Sequence, residues 1–127
     1  MKGGTPLGRV LGHGSAKSGA HHWWSQRLSA VALVPLSLWF LFSLLTLPDF
    51  GHAAVRAWVG VPWHAVLLCL LVGTASWHSQ LGVQVVVEDY VHTPGVKLGS
   101  LLLLRFAHVL IAAAGIFAVL KIAFSTP

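Results

Sequence analysis

Between Arg27 and Asp49 the chain runs from Leu28 to Pro48, 21 residues, without a charged side chain. A helix rising about 1.5 Å per residue crosses the roughly 30 Å hydrocarbon core of a bilayer with about 20 residues, so this run is a membrane span. A second charge-free run, Ala57 to Val87, is longer than a span requires. A third apolar stretch follows between Lys97 and Lys121, broken only by Arg105. The rest of the composition agrees: 9% of residues are charged and 56% hydrophobic, where a soluble domain carries roughly a quarter charged residues. Water is the wrong solvent for most of this surface.

The punctuation between the runs sets their bounds. Pro48-Asp49 ends the first, which Pro35 should kink, as membrane helices tolerate when neighbours satisfy the freed backbone groups. Pro62 reads as a first-turn proline and Thr93-Pro94-Gly95 as the next break. The expected spans are residues 27–48, 61–90 and 97–121. Residues 1–20, rich in Gly, are expected to form a flexible or partner-docked tail, and residues 21–127 a three-helix transmembrane anchor domain. No small-residue cleavage site follows the first apolar run, so no processing is expected.

Charge gives the orientation. Lys2, Arg9, Lys17 and Arg27 precede the first span and Lys97 lies between the second and third, against Arg56 and Lys121 on the other side. The positive-inside rule puts the N-terminus in the cytoplasm and the C-terminus across the membrane. Trp23, Trp24, Trp58, Trp63 and Tyr90 fall at span ends, where amphipathic aromatics settle. The net charge of +5 comes from scattered basic residues with no basic helix face, so nucleic acid is not an expected partner. The single Cys69 provides neither a disulfide nor a thiolate cluster.

Polar groups at membrane depth carry the functional information, because each is costly unless partnered. His78 lies 12 residues before Tyr90, roughly 18 Å deeper on a helix. Thr74, His78, Gly82, Val85 and Asp89 share one face at 100° per residue. A deep imidazole, a side-chain gap one turn later and a carboxylate at the water boundary suit a flat ligand such as haem. The alternative is a neutral histidine hydrogen-bonded to a neighbouring helix. His108 lies at similar depth and is read first as an interhelical hydrogen-bonding group, with a second axial ligand as the alternative. His13, His52, His64 and His92 are expected on solvated surface.

A second cluster gathers where the first span opens and the second closes. His21, His22, Ser25, Gln26 and Arg27 meet Glu88, Asp89 and Tyr90 on the same membrane side. These groups could hydrogen-bond a quinone carbonyl and feed it protons, and Arg27 could instead pair with haem propionates. The alternative is an interfacial anchor belt with a surface ion pair between Arg27 and Asp89 or Glu88. Arg105 is open to three readings: snorkelling, pairing with an acid, or contacting a lipid phosphate.

HHWWSQRLSAVALVPLSLWF at 21–40 and HSQLGVQVVVEDYVH at 78–92 resemble the D-type hydrophobic membrane anchor subunits of succinate dehydrogenase (respiratory complex II), and GIFAVLKIAF at 115–124 is similar to the third span of the alphaproteobacterial members. The resemblance covers residues 19–124 and rests on His78, Gly82 and the Asp89-Tyr90 pair, joined to the H-x5-R pattern of His21 and Arg27. It implies an all-α membrane protein packed with a second three-helix anchor of the cytochrome b556 type, in a bacterial inner membrane. It implies an iron–sulfur subunit and, through it, a flavoprotein that oxidises succinate. Haem b would lie between the anchors and ubiquinone at their edge.

By the same resemblance His78 matches the anchor's axial ligand to the haem iron, the second ligand coming from the other anchor. Tyr90 matches the tyrosine that hydrogen-bonds the quinone carbonyl, with Asp89 beside it. Arg27 and His21 match the basic pair near the propionates and the quinone. His22 doubles the histidine, and Glu88 stands where many members have a neutral residue. The chain itself would be a non-catalytic subunit of an oxidoreductase. A fumarate reductase anchor, a self-contained haem carrier using His78 and His108, and a cofactor-free structural protein are the rival readings.

Overall fold

Where Thr46 gives way to Pro48 and Asp49, hydropathy and backbone chemistry both stop a helix. The computed structural model describes residues 17–125; of the tail expected over 1–20, residues 1–16 lie outside them and 17–20 are helical. Among the described residues the architecture is all-helical: α1 Lys17–Thr46, α2 His52–Val59, α3 Pro62–Tyr90 and α4 Pro94–Ser125. Three of these, α1, α3 and α4, are long and apolar enough to cross a membrane.

The helices overrun the expected spans. α1 starts at Lys17 rather than near Arg27, so the His-Trp-rich segment is helical, and α4 starts at Pro94 and continues to Ser125. No residue between Gly19 and Pro35 breaks a helix, and polar side chains at an interface do not stop one; hydropathy marks where lipid ends, not where hydrogen bonding ends. Pro35 is carried inside α1. Pro62 does occupy the first turn of α3, after Val61 in extended conformation.

α2 is a short helix in the segment expected to be loop. Asp49 accepts a hydrogen bond from the Gly51 amide just before it, and Gly60 and Val61 alone link it to α3. Trp58 of α2 stacks on Trp39 of α1, with centroids 5.8 Å apart, and on His64 of α3 at 4.7 Å. His64 also places Nδ1 2.7 Å from the Trp58 carbonyl, which can only accept. His64 is thus half-buried among tryptophans, not on solvated surface; the aromatic faces α2 brings back over the bundle cover it. At the far end of α4, Arg56 donates to the Ser125 carbonyl at 2.9 Å, a cation on a helix C-terminus.

α3 is the middle of the row. It packs against α1 on one side and α4 on the other, and α1 and α4 do not meet among the described residues. α3 is also the least hydropathic span, 1.4 against 2.2 for each neighbour, because it carries Ser76, His78, Ser79 and Gln80 at depth. The helix covered on two sides is the one that can keep polar groups out of lipid. Small residues let the neighbours approach: Ser29 and Ser43 of α1 are buried, and a Cβ on Gly115 of α4 would lie 2.9 Å from a methyl of Val72.

Gly115→Val should therefore push α4 off α3. We expect a loss of roughly 1–3 kcal/mol, typical of an overpacked contact, read as lower thermal stability in detergent. An unchanged melting profile would show that Gly115 is not a packing contact.

Candidate functional site

His78 sits on the α1-facing side of α3 and is held there by two residues of α1. Its Nδ1 lies 2.9 Å from Ser29 Oγ, and Gln26 Nε2 is 3.5 Å from its Nε2. The Ser29 hydroxyl is also 2.8 Å from the Ser25 carbonyl and 3.0 Å from that of Gln26. A hydroxyl has one proton, and the carbonyls can only accept. It donates to its own helix and accepts from the Nδ1–H of His78. Nε2 then carries the ring's lone pair, with only a long contact to the Gln26 amide beside it. A metal-ligating histidine has this arrangement: one ring nitrogen donates to an oxygen and the other is left to coordinate.

A groove of ≈ 660 Å³ lies between α1 and α3 toward their shared end, with His22, Trp23 and Gln26 on one wall and Gly82, Val85 and Glu88 on the other; Gln26, not His78, lines it. Two buried polar atoms there have no partner among the described residues, His22 Nε2 and Gln26 Oε1. A Cβ on Gly82 would meet nothing closer than Gln26 Nε2 at 3.7 Å, an ordinary contact. Packing within the chain does not require glycine there; its missing side chain keeps the groove open. Among the described residues no three His, Cys, Asp or Glu side chains converge on one point. A lone imidazole of this kind suits a metal that arrives already held by a macrocycle, and the groove, gap and unpartnered atoms fit such a flat group.

Gly82→Leu should fill this groove while leaving the α1–α3 pairing intact, because the first added atom has room. Loss of a bound macrocycle's absorbance with unchanged helicity by circular dichroism is the expected result. Retained absorbance would place the ligand elsewhere.

The remaining expected site residues cluster at one end without touching. Tyr90 is 78% exposed at the last turn of α3, and Asp89 and Glu88 are exposed beside it. Arg27 is exposed, its guanidinium 5.4 Å from the Trp23 ring centroid. Among the described residues no ion pair joins Arg27 to Glu88 or Asp89: Glu88 accepts from Gln84 at 2.8 Å, and its carbonyl from Lys97 at 2.6 Å. Of the two adjacent histidines, His21 is exposed and His22 faces the groove.

His108 is committed elsewhere. Its Nδ1 donates to the Leu104 carbonyl at 2.9 Å, so Nε2 accepts from the Ser79 hydroxyl at 3.2 Å, and Ser76 donates to its carbonyl at 2.8 Å. This is the interhelical hydrogen bond read first from the sequence. Ser29 is the residue sequence reasoning passed over. Its signal was present, a hydroxyl one turn inside an apolar span and four residues after Ser25.

The family model for succinate dehydrogenase/fumarate reductase transmembrane subunits matches residues 1–115. The succinate dehydrogenase hydrophobic membrane anchor subunit of Rickettsia bellii (strain RML369-C) is 35% identical over 106 residues, covering 84% of this chain and 85% of that one. The subunit of the same description from Paracoccus denitrificans is 29% identical over 110 residues, 87% and 85% of the two chains. The succinate dehydrogenase membrane anchor subunit of Reclinomonas americana is 29% identical over 92 residues, 70% of this chain and 77% of its own. No solved structure matches significantly.

Proposed function

Because this chain belongs to the succinate dehydrogenase/fumarate reductase transmembrane subunit family, we propose that it anchors a succinate:ubiquinone oxidoreductase in a bacterial inner membrane and supplies one axial ligand of a haem b. The observation that carries the reading is the Ser29–His78 hydrogen bond, which leaves the lone pair of Nε2 with only a long contact to Gln26, a residue that lines the adjoining groove. The second ligand comes from a second three-helix anchor of the cytochrome b556 type. When bound, the haem supplies a one-electron redox centre within the membrane.

The N-terminus lies in the cytoplasm, following the basic residues, and the C-terminus in the periplasm. Tyr90, Asp89, Arg27 and His21 then stand at the cytoplasmic edge. Their exposure in the lone chain supports a site completed by partners: the second anchor and an iron–sulfur subunit, with a flavoprotein beyond it. Ubiquinone binds at this edge. The phenol of Tyr90 donates a hydrogen bond to a quinone carbonyl oxygen, and Asp89 and His21 hold and pass protons to it. Arg27 offers a fixed planar cation to a quinone oxygen or a haem propionate. Succinate is oxidised outside this chain, which contributes binding groups and no active site of its own.

Purification of the tagged chain from its native membrane in mild detergent tests the proposal. We expect a second small anchor, an iron–sulfur protein and a flavoprotein to come with it, and a b-type absorbance spectrum. A colourless preparation without these partners would overturn it.

A further inference from the structure

On the side of α3 away from α1, a furrow follows the α3–α4 junction. α3 lines it with Cys69, Gly73, Trp77 and Gln80, residues three or four apart and so on one stripe. His78 lies on the other side of the helix, 140° to 200° from Gly73, Gln80 and Cys69 at 100° per residue, with α1 packed over it. The furrow therefore faces away from the groove described above.

Its composition changes along its length. Toward the start of α4 it holds Gln80 and Arg105, which line two adjoining hollows of ≈ 400 and ≈ 200 Å³. Gln80 is only 6% exposed, yet its amide makes no hydrogen bond among the described residues. Arg105 likewise has no acid and no hydrogen-bond partner among them, though it lies within a membrane span. Farther along, the walls become apolar, through Ala112 and Ile116 into a hollow of ≈ 530 Å³, and a Cβ on Gly73 would meet nothing within 4 Å.

Depth identifies the occupant. Centring the 32-residue α4 on a roughly 30 Å core leaves about six residues outside at each end, so Arg105 begins about 8 Å inside the boundary. Its side chain snorkels toward the headgroups and carries the guanidinium up with it. The roughly 15 Å of hydrocarbon in that leaflet then runs alongside α4 from about Ser100 to Leu110, past Leu104, Arg105 and Val109. The furrow thus offers a cation and an amide that reach toward headgroup level, with Trp77, Leu104 and Val109 lining the hydrocarbon depth of the same leaflet.

We propose that this furrow is a binding site for an anionic phospholipid of the leaflet where α4 begins, its phosphate on Arg105 and Gln80 and its acyl chains along Trp77, Leu104 and Val109 toward Ala112. The site is independent of the haem and quinone assignments.

The test uses the whole complex in mild detergent, exposed to phosphatidylglycerol or phosphatidylcholine carrying a photoreactive group in the acyl chain, with labelled peptides mapped. Labelling around Trp77–Leu81 and Leu104–Val109 should favour phosphatidylglycerol roughly fivefold, the worth of one basic side chain at an anionic surface. In the assembled Arg105→Gln complex that preference should vanish. Equal labelling by the two lipids in the wild type would overturn the site without any variant. So would a preference that survives Arg105→Gln, or a protein subunit cross-linked at the same positions.

Discussion

Replacing His78 with alanine is expected to abolish the b-type haem spectrum of the assembled complex. The ring's Nδ1 is engaged by Ser29, so Nε2 is the nitrogen that would hold the proposed haem iron, and the groups that meet the ring on α1, Ser29 and Gln26, include no other imidazole. The Gln26 amide is the nearest polar group, and an amide nitrogen has no lone pair to give a metal. His108→Ala serves as the control. Both of its ring nitrogens are already bonded, to Leu104 and Ser79, so its loss should leave the spectrum in place. Because His78→Ala also removes a contact between α1 and α3, assembly must be checked by co-purification. The lost interhelical hydrogen bond alone is worth about 0.6–2 kcal/mol in a membrane, too little to scatter the complex. An assembled His78→Ala complex with an unchanged spectrum would move the ligand to another chain.

Tyr90→Phe carries the second large effect. The substitution keeps the ring that settles at the membrane boundary and deletes only the exposed hydroxyl. If that hydroxyl donates to the quinone as charge develops on its oxygen, its loss should lower quinone reduction by about 10–100-fold. Succinate oxidation by an artificial acceptor that takes electrons from the soluble subunits should be unaffected. Equal losses in both assays would mean that the tyrosine supports assembly, not quinone chemistry.

The two positions differ in how much of their role the residues themselves revealed. The depth of His78 follows from counting, since a charge-free run pins the helix to the bilayer and 1.5 Å per residue does the rest. The partner that sets its protonation does not. Ser29 sits on another helix, and the pairing of α1 with α3 depends on which apolar faces meet, faces hydropathy cannot tell apart. The ten residues of α1 before Arg27 were missed for a related reason: side chains there turn polar while the backbone continues its hydrogen bonding. The same limit hid α2, whose tryptophan acquires its meaning only when Trp39 and His64 arrive from flanking helices. The Tyr90 cluster was legible as a location. As a set of contacts it is absent from the lone chain, because these groups point outward.

The row of three spanning helices has a consequence for how the molecule is made. Among the described residues α1 and α4 do not meet directly and are bridged by α3 and the short α2, so the spanning helices form a ribbon rather than a closed bundle. Such a ribbon leaves two apolar sides that the proposed partner subunits would cover. If they do, a copy made without them would stay unassembled, and its supply is expected to be matched to theirs.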